Sequence, residues 1–392
     1  MSEKVLQASE VITPFETLRD GLVWVDAASR IAWVGKASDL PEATKELPHE
    51  EYAGKRLLPG LIDIHVHGGF GFFFGEGDLS KGLHTYTEKI AFSGLAGFLL
   101  SLAAPTAAEL VEIIKTYVHL FENDTFVGSQ PLGLHLEGPY LNPEKKGAFD
   151  EHWLRIPDLK EAQAFMEVGK GWIKQITMAP ELPNAMEVAA YLRANGVVVA
   201  MGHTNATYEF AAAALLGDFR HVTHTFNAQR GFNQREPGVF GAIMDSDDVT
   251  AELICDTIHV HPGAIKMASR CLSPDQIVLI TDAIGGAHLP DGVYGSLGQR
   301  VTIKNGLVLL DNGTIAGSTV ALNRALHNAA QYMEYNYRQV VRMASFNPAK
   351  LIGLDKDYGS ISVGKRADLI AVEPGGDVVM NQVAGRIVYQ KG

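Results

Sequence analysis

Residues 58–68 read LPGLIDIHVHG, an apolar run that ends in two histidines separated by one valine. In a β-strand, residues two apart face the same side, so Asp63, His65 and His67 share one face while the apolar residues between them share the other. Imidazole nitrogens aimed in one direction are half of a metal site. A pair of hydrogen-bonded or solvated histidines gives the same pattern, so the metal interpretation depends on further ligands elsewhere in the chain.

Short apolar runs recur beyond this stretch, at intervals that leave room for a helix between them. The runs lie at residues 97–101, 133–136, 173–178, 197–201 and 277–281, and helix-length segments lie at 107–121 and 184–195. Alternating strands and helices are typical of parallel βα units, which a (β/α)8 TIM-like barrel accommodates. We therefore predict an α/β fold with such a barrel.

The two ends of the chain differ from its middle, because both consist of short apolar runs separated by turns. The runs lie at 21–25 and 31–34 near one end, and at 368–372 and 385–389 near the other. This pattern is typical of strands. We expect residues 1–57 and 355–392 to form one small β-sandwich domain, and residues 58–354 to form a metal-dependent hydrolase barrel.

Composition narrows the class of protein. The 392 residues are 46% hydrophobic and 20% charged, as in a compact α/β enzyme, and the net charge of −12 argues against binding to nucleic acid or to an anionic membrane. No secretion signal or membrane-spanning run is recognisable, and two cysteines are too few for a disulfide framework. We expect a cytoplasmic protein.

Four more polar residues come at or just after apolar runs, namely Glu137, His203, His224 and Asp282. A barrel brings the carboxyl ends of its strands together, so these side chains are expected to meet in one pocket. Imidazoles and carboxylates together form the ligand set of a hydrolytic Zn²⁺ or Fe²⁺ site. Taken singly, each has a structural alternative: the two carboxylates could cap helices, and the two histidines could be helix-start or core residues.

Eight short motifs in this order resemble the N-acetylglucosamine-6-phosphate deacetylases of the amidohydrolase superfamily, and the resemblance covers nearly the whole chain. The motifs are PGLIDIHVHG (59–68), LEGP (136–139), GHT (202–204), THTFNA (223–228), REPG (235–238), TDA (281–283), AGS (316–318) and GKRAD (364–368). The resemblance implies a deacetylase that hydrolyses the acetamide of an N-acetylated amino sugar 6-phosphate. It also implies one metal ion held by Glu137, His203 and His224.

A second ion is implied as well, because this chain keeps His65 and His67 where some members of the family have amides. Glu137 could then bridge two ions, giving one or two divalent ions, Zn or Fe, per subunit. The resemblance assigns catalysis to Asp282, which would accept a proton from the attacking water and deliver it to the departing amine.

The substrate's phosphate has separate candidates. Arg235 and His259 can both donate charge-assisted hydrogen bonds, and the resemblance adds the backbone amides near Asn227 and Ala228. Without the resemblance, a salt bridge for Arg235 and a structural role for His259 are the simpler interpretations. Members of the family commonly form homodimers that share the phosphate site, so Arg235 could serve the neighbouring subunit.

Three positions depart from the family pattern: Phe149, Thr257 where the family prefers glycine, and Gln229 where it prefers methionine. Phe149 follows Lys146, Gly147 and Ala148 where the family usually has a histidine that contacts the sugar or its amide carbonyl. The galactosamine epimer therefore stays open as the preferred substrate, as does a different amide for another kind of amidohydrolase. A noncatalytic sugar-phosphate sensor would not need Asp282, so its presence favours an enzyme.

Overall fold

The computed structural model describes residues 3–296 and 298–392. The strands, in chain order, are β1 (Lys4–Ile12), β2 (Thr17–Val25), β3 (Ile31–Lys36), β4 (His49–Pro59), β5 (Leu61–Val66), β6 (Gly68–Gly69), β7 (Phe72–Phe73), β8 (Leu95–Leu102), β9 (Gln130–Glu137), β10 (Ile173–Met178), β11 (Val198–Met201), β12 (Phe219–Val222), β13 (Thr250–Ile254), β14 (Ile277–Ile280), β15 (Gly292–Ser296), β16 (Gln299–Lys304), β17 (Leu307–Leu310), β18 (Leu369–Val372), β19 (Val378–Val383) and β20 (Arg386–Gln390). The α-helices are α1 (Leu79–Lys89), α2 (Ala107–Asn123), α3 (Leu159–Gly169), α4 (Ala185–Ala194), α5 (Tyr208–Leu216), α6 (Gly238–Met244), α7 (Pro262–Cys271), α8 (Leu322–Tyr332), α9 (Tyr337–Met343) and α10 (Phe346–Leu351).

Eight parallel strands form the central sheet, in the order β14-β13-β12-β11-β10-β9-β8-β5. Its two outer strands meet at their carboxyl ends, where the Asp282 amide donates to the His65 carbonyl at 2.8 Å and Val66 bridges to Ala283. This contact brings the first and last strands of the barrel together. The predicted (β/α)8 barrel is confirmed.

The barrel strands are apolar because both of their faces are covered. Every residue of β8 is buried, with one face toward the barrel interior and the other toward the helices. Helix α2 begins at a capping motif, because Thr106 and Glu109 form a reciprocal capping box at its start. The polar residues that break this apolar pattern are therefore confined to the interior and the rim of the barrel.

Both chain ends contribute to a separate seven-stranded sheet, in the order β20-β19-β18-β4-β1-β2-β3. This confirms that the ends pair into a unit of their own, while its exact domain limits stay a prediction. Gly60 alone separates β4 of this sheet from β5 of the barrel. A Cβ at Gly60 would lie 2.5 Å from the Cβ of Ala96, so close packing excludes a larger residue there. The sheet thus anchors the strand that carries His65.

A three-stranded antiparallel sheet, β15-β16-β17, lies beside the carboxyl end of the barrel. Val301 and Leu310 of this sheet line the cavity described below. The Gln299 side chain donates to the Ala148 carbonyl at 2.7 Å, which links this sheet to the loop that follows β9. Sequence analysis did not identify this sheet, because its short strands carry no motif.

Across the described part of the chain, no helix combines the length and the apolar character needed to cross a membrane.

Candidate metal centre

The carboxyl ends of five barrel strands place the predicted metal and catalytic residues in one buried cluster. β5 carries His65 and leads into His67, β9 ends at Glu137, and His203, His224 and Asp282 each lie two residues beyond a strand end. The last three have positive φ angles of 47°, 27° and 51°. Non-glycine residues rarely adopt this conformation, and such strain is commonly kept at functional sites. The backbone turns here bring the side chains together.

The first ligand group consists of Glu137, His203 and His224. Both histidine Nε2 atoms lie 3.1 Å from Glu137 Oε1 and 3.0 Å from each other. His203 Nδ1 lies 2.8 Å from the Lys145 carbonyl, which only accepts, so Nδ1 carries the proton and Nε2 presents a lone pair. Ligand atoms on one tetrahedral zinc ion at about 2.0–2.2 Å are roughly 3.3–3.6 Å apart. The three atoms lie slightly closer together than that, and they converge on one point as the ligands of one divalent ion would.

The second ligand group consists of His65, His67 and Asp282. Asp282 Oδ1 lies 3.4 Å from His67 Nε2 and 3.5 Å from His65 Nε2. Glu137 reaches this group too, because its Oε2 lies 2.9 Å from His67 Nε2 while its Oε1 serves the first group. The His65 Nε2 atom is buried without a hydrogen-bond partner. An unpaired buried nitrogen is costly, and a metal ion would satisfy it.

Negative charge dominates the cluster. Burial lowers the pKa of His65, but Glu137, Glu252 and Asp282 outweigh burial and hold this pKa well above its ordinary value. His67 behaves alike: burial opposes its charge, yet hydrogen bonds to Asp282 and Glu137 raise its pKa to about 9. Imidazoles that favour a positive charge in a buried site indicate an excess of carboxylates, which a divalent cation would neutralise.

The carboxylates show the complementary shifts. Burial raises the pKa of Glu137, but His65, His203 and His224 hold it well below its ordinary value. Burial likewise raises the pKa of Asp282, and His65 and His67 bring it below the usual range. Both groups are therefore ionised at neutral pH and available as ligands or as a proton acceptor.

Sequence analysis missed Glu252, a fully buried carboxylate in the middle of β13. Its Oε2 accepts from His65 Nδ1 at 2.9 Å and from the His224 amide at 3.0 Å. A signal was available: Glu252 is the one charged residue in the run TAELI, and alternation in that strand places it toward the barrel interior with the histidines.

An open cavity of about 350 Å³ lies beside the ligand groups, within the range of small-molecule sites. Five residues of the two ligand groups line it, namely His67, Glu137, His203, His224 and Asp282. Much of the remaining lining is apolar and is formed by Phe73, Phe149, Ile284, Val301, Leu310 and Ile315. No lysine or arginine is among the lining residues in the part of the chain that the structure describes.

Three of the four predicted phosphate contacts reach the cavity, namely His259, Asn227 and Ala228. His259 Nδ1 lies 2.7 Å from Asp256 Oδ2; burial opposes its charge, but Asp256 raises its pKa above the ordinary value. The Asn227 amide already donates to the His224 carbonyl at 2.9 Å, whereas the Ala228 amide has no acceptor among the described residues. Ala228 therefore offers the freer donor.

Arg235 does not join this cluster. It lies on the exposed loop between Arg230 and α6, and it is absent from the residues that line the cavity. Phe149, in contrast, lies directly at the site, with its ring centroid 5.2 Å from that of His203. It packs with Leu141 and Trp153 in a small apolar cluster, so position 149 offers no polar contact.

Comparison with known proteins identifies the family of the chain. Residues 56–388 match the model of the amidohydrolase family. The chain is 32% identical over 384 residues to N-acetylglucosamine-6-phosphate deacetylase of Bacillus subtilis, covering 97% of this chain and 95% of the relative. It is 31% identical over 335 residues to N-acetylgalactosamine-6-phosphate deacetylase of Escherichia coli, covering 84% of this chain and 87% of the relative.

A solved structure is similar over the full length. A mutant of N-acetyl-D-glucosamine-6-phosphate deacetylase from Mycobacterium smegmatis, in complex with N-acetyl-D-glucosamine 6-phosphate, superposes with a TM-score of 0.91 at 29% identity, covering 100% of both chains. Sequence and fold thus agree on the family. The chain belongs to the amidohydrolase family, and within it to the N-acetylglucosamine-6-phosphate deacetylases.

Proposed function

We propose that this enzyme hydrolyses the acetamide of N-acetylglucosamine 6-phosphate to glucosamine 6-phosphate and acetate. The observation that carries the proposal is the convergence of Glu137, His203 and His224 beside Asp282 at one wall of a cavity open to a small molecule. Relatives of the chain at 31–32% identity are named as deacetylases of N-acetylated amino sugar 6-phosphates.

Amide hydrolysis needs an activated water and a polarised carbonyl. A divalent ion, zinc or iron, held at this centre would supply both, because it lowers the pKa of water and acts as a Lewis acid. Glu137, His203 and His224 would hold one ion, and His65 and His67 would hold a second that Glu137 bridges. The lone pairs and distances of these side chains support two ions per subunit.

Asp282 is the proposed catalytic residue. It lies in the cavity beside both ligand groups, and it is ionised at neutral pH because the neighbouring imidazoles lower its pKa. An ionised carboxylate can take the proton of the attacking water. The same group, once protonated, can deliver this proton to the sugar nitrogen, which leaves poorly as an anion.

The phosphate would lie at the end of the cavity near Asn227, Ala228 and His259. The Ala228 amide and His259 can each donate a hydrogen bond to it. Because no lysine or arginine among the described residues lines the cavity, a phosphate dianion still lacks a permanent cation there. We propose that the exposed Arg235 of a second copy supplies it, which makes the enzyme a homodimer with shared sites.

The galactosamine epimer is a second candidate substrate. Two points favour it: position 149 is Phe where the resemblance implies a histidine beside the sugar, and one relative is named for this epimer. A charged sugar phosphate does not cross membranes unaided, so the cytoplasm is the compartment that we propose for either substrate.

Acetate release tests the proposal. Metal-replete enzyme would be assayed with the 6-phosphates of N-acetylglucosamine, N-acetylgalactosamine and N-acetylmannosamine, and its metal content would be measured in parallel. We expect the highest kcat/KM for the glucosamine compound and little turnover of the unphosphorylated sugars. No acetate from any of the three phosphates would contradict the proposed function, and a preference for the second would establish the other epimer.

A further inference from the structure

The side chain of Glu252 makes four polar contacts inside the barrel. Oε2 accepts from His65 Nδ1 at 2.9 Å and from the His224 amide at 3.0 Å. Oε1 lies 3.0 Å from His221 Nε2 and 2.9 Å from Gln175 Nε2. The carboxylate is fully buried, and it contacts a side chain of the second ligand group and the backbone of the first.

Glu252 determines which nitrogen of His65 faces the centre. Glu252 Oε2 already accepts from the His224 amide at 3.0 Å and lies 2.9 Å from His65 Nδ1, so it acts as an acceptor and the Nδ1 atom of His65 carries a proton. Nε2, the atom that is buried without a partner and faces Asp282 and Glu137, is then the nitrogen that would present a lone pair to an ion. Without this acceptor, the imidazole could present either nitrogen.

Glu252 also ties the two ligand groups to one atom. The backbone at His224 adopts a positive φ of 27°, and the hydrogen bond from its amide to Oε2 holds that turn. The same oxygen contacts the ring of His65 directly, whereas it contacts only the backbone of His224 and not its ring. Carboxylates that accept from the remote nitrogen of a ligand histidine orient the ring and raise its basicity.

We propose that Glu252 is a positioning residue that orients His65 and sets the affinity of the centre for its second ion. The inference rests on the two-ion centre of the proposed function. It predicts that loss of Glu252 weakens the second ion more than the first. The ring of His65 contacts Glu252, whereas the rings of His203 and His224 do not. A carboxylate with a purely structural role would affect both ions alike or neither.

Glu252→Gln is the sharpest test, because it removes the charge and keeps the shape and one acceptor oxygen. We expect the affinity for the second ion to fall by about 10–100-fold, the range found for partners of ligand histidines, while the first ion is retained. Equilibrium titration of metal-free protein with Zn²⁺, and with Co²⁺ followed by its absorption spectrum, measures both ions without any turnover.

His221→Gln is the matched control. His221 contacts the other oxygen of Glu252 and lies 2.7 Å from Thr250, so its replacement disturbs the same carboxylate without touching His65. We expect both ions to bind as in the unmodified enzyme. In a His65→Asn background, Glu252→Gln should cause no further loss of the second ion, since its effect passes through His65.

Unchanged affinity for the second ion in Glu252→Gln would overturn the inference. So would an equal loss of both ions in a variant with native circular dichroism, an equal effect of His221→Gln, or a single ion in the unmodified protein. None of these results bears on acetate release, so failure of this inference and failure of the proposed reaction are distinguishable.

Discussion

The two walls of the cavity are built in different ways. The wall that carries Glu137, His203, His224 and Asp282 comes from strand ends, and its polar atoms are buried and mutually bonded. The second wall, which comprises the rest of the lining, is largely apolar and comes mainly from loops and from the sheet β15-β16-β17. The first wall contains more potential metal-ligand atoms than the protein itself can pair by hydrogen bonds. The second wall has no lysine or arginine among its described residues.

This difference separates chemistry from recognition. Groups fixed on barrel strands keep their geometry without substrate, as a centre that activates water requires. Loop residues are more variable, and loops on a rigid scaffold commonly carry specificity. Changes at the first wall should therefore reduce kcat, and changes at the second wall or its rim should alter KM or the choice of substrate.

Asp282→Asn should give the largest effect. Asparagine keeps the size of the side chain and one oxygen but cannot accept the water's proton, so we expect kcat to fall by about 10²–10⁴-fold with little change in KM. Acetate release and metal content measured on the same preparation check this. Near-normal kcat, or loss of the ion at Glu137, His203 and His224, would remove the proposed role of Asp282.

The first wall was also the more predictable from sequence. Apolar runs expected at 97–101 and 133–136 lie within the strands Leu95–Leu102 and Gln130–Glu137, and the expected metal ligands follow such runs. The carboxyl ends of parallel barrel strands lie together, so the positions of the apolar runs in the sequence predict which residues meet there. His65, the ligand that Glu252 contacts, was visible in a sequence motif. Glu252 itself lies in a strand that carries no motif.

The second wall was less predictable, because loops and hairpins have no period that sets their position. Sequence placed Asn227, Ala228 and His259 beside the substrate, and all three line the cavity. It assigned Arg235 to the phosphate as well, on the same resemblance that supported the other three, but in one copy of the chain Arg235 lies on an exposed loop. A contact made between two copies cannot be derived from the fold of one.

Arg235→Ala should raise KM for the phosphorylated substrate by about 10–100-fold, the equivalent of one charge-assisted hydrogen bond, with kcat nearly unchanged. Gln234→Ala on the same exposed loop is the control and should leave KM unaltered. Steady-state kinetics at several substrate concentrations separates the two constants.

Mixing subunits shows whether Arg235 acts across a dimer. A hybrid of one Arg235→Ala subunit and one Asp282→Asn subunit contains a complete site only if the arginine comes from the partner. We expect activity at low substrate to rise above that of either variant once the subunits exchange. No rise in a verified hybrid would mean that Arg235 serves its own subunit or no site.

His259 should make recognition depend on pH. Its pKa is raised by Asp256, so the imidazolium is present below that raised value and is lost as pH increases through it. KM should therefore be lowest at acidic to neutral pH and should increase toward alkaline pH. His259→Asn should raise KM about tenfold at pH 6 and remove the increase. Both proteins would be assayed with the same substrate, so titration of its phosphate affects both pH profiles equally. Parallel pH profiles of KM for the two proteins would contradict the prediction.

Phe149→His should give the smallest effect, because it changes one contact of the apolar wall. The Phe149 ring lies beside His203 and packs with Leu141 and Trp153, so a histidine there would introduce a hydrogen-bonding group next to the sugar while it loses some packing. A neutral hydrogen bond contributes about 0.5–1.5 kcal/mol, which corresponds to a change of roughly 2–12-fold in the ratio of kcat/KM between the two epimers. Phe149→Leu keeps the wall apolar and should leave the ratio unchanged. If both variants shift the ratio equally, position 149 acts through packing, and the division between a catalytic wall and a recognition wall does not extend to it.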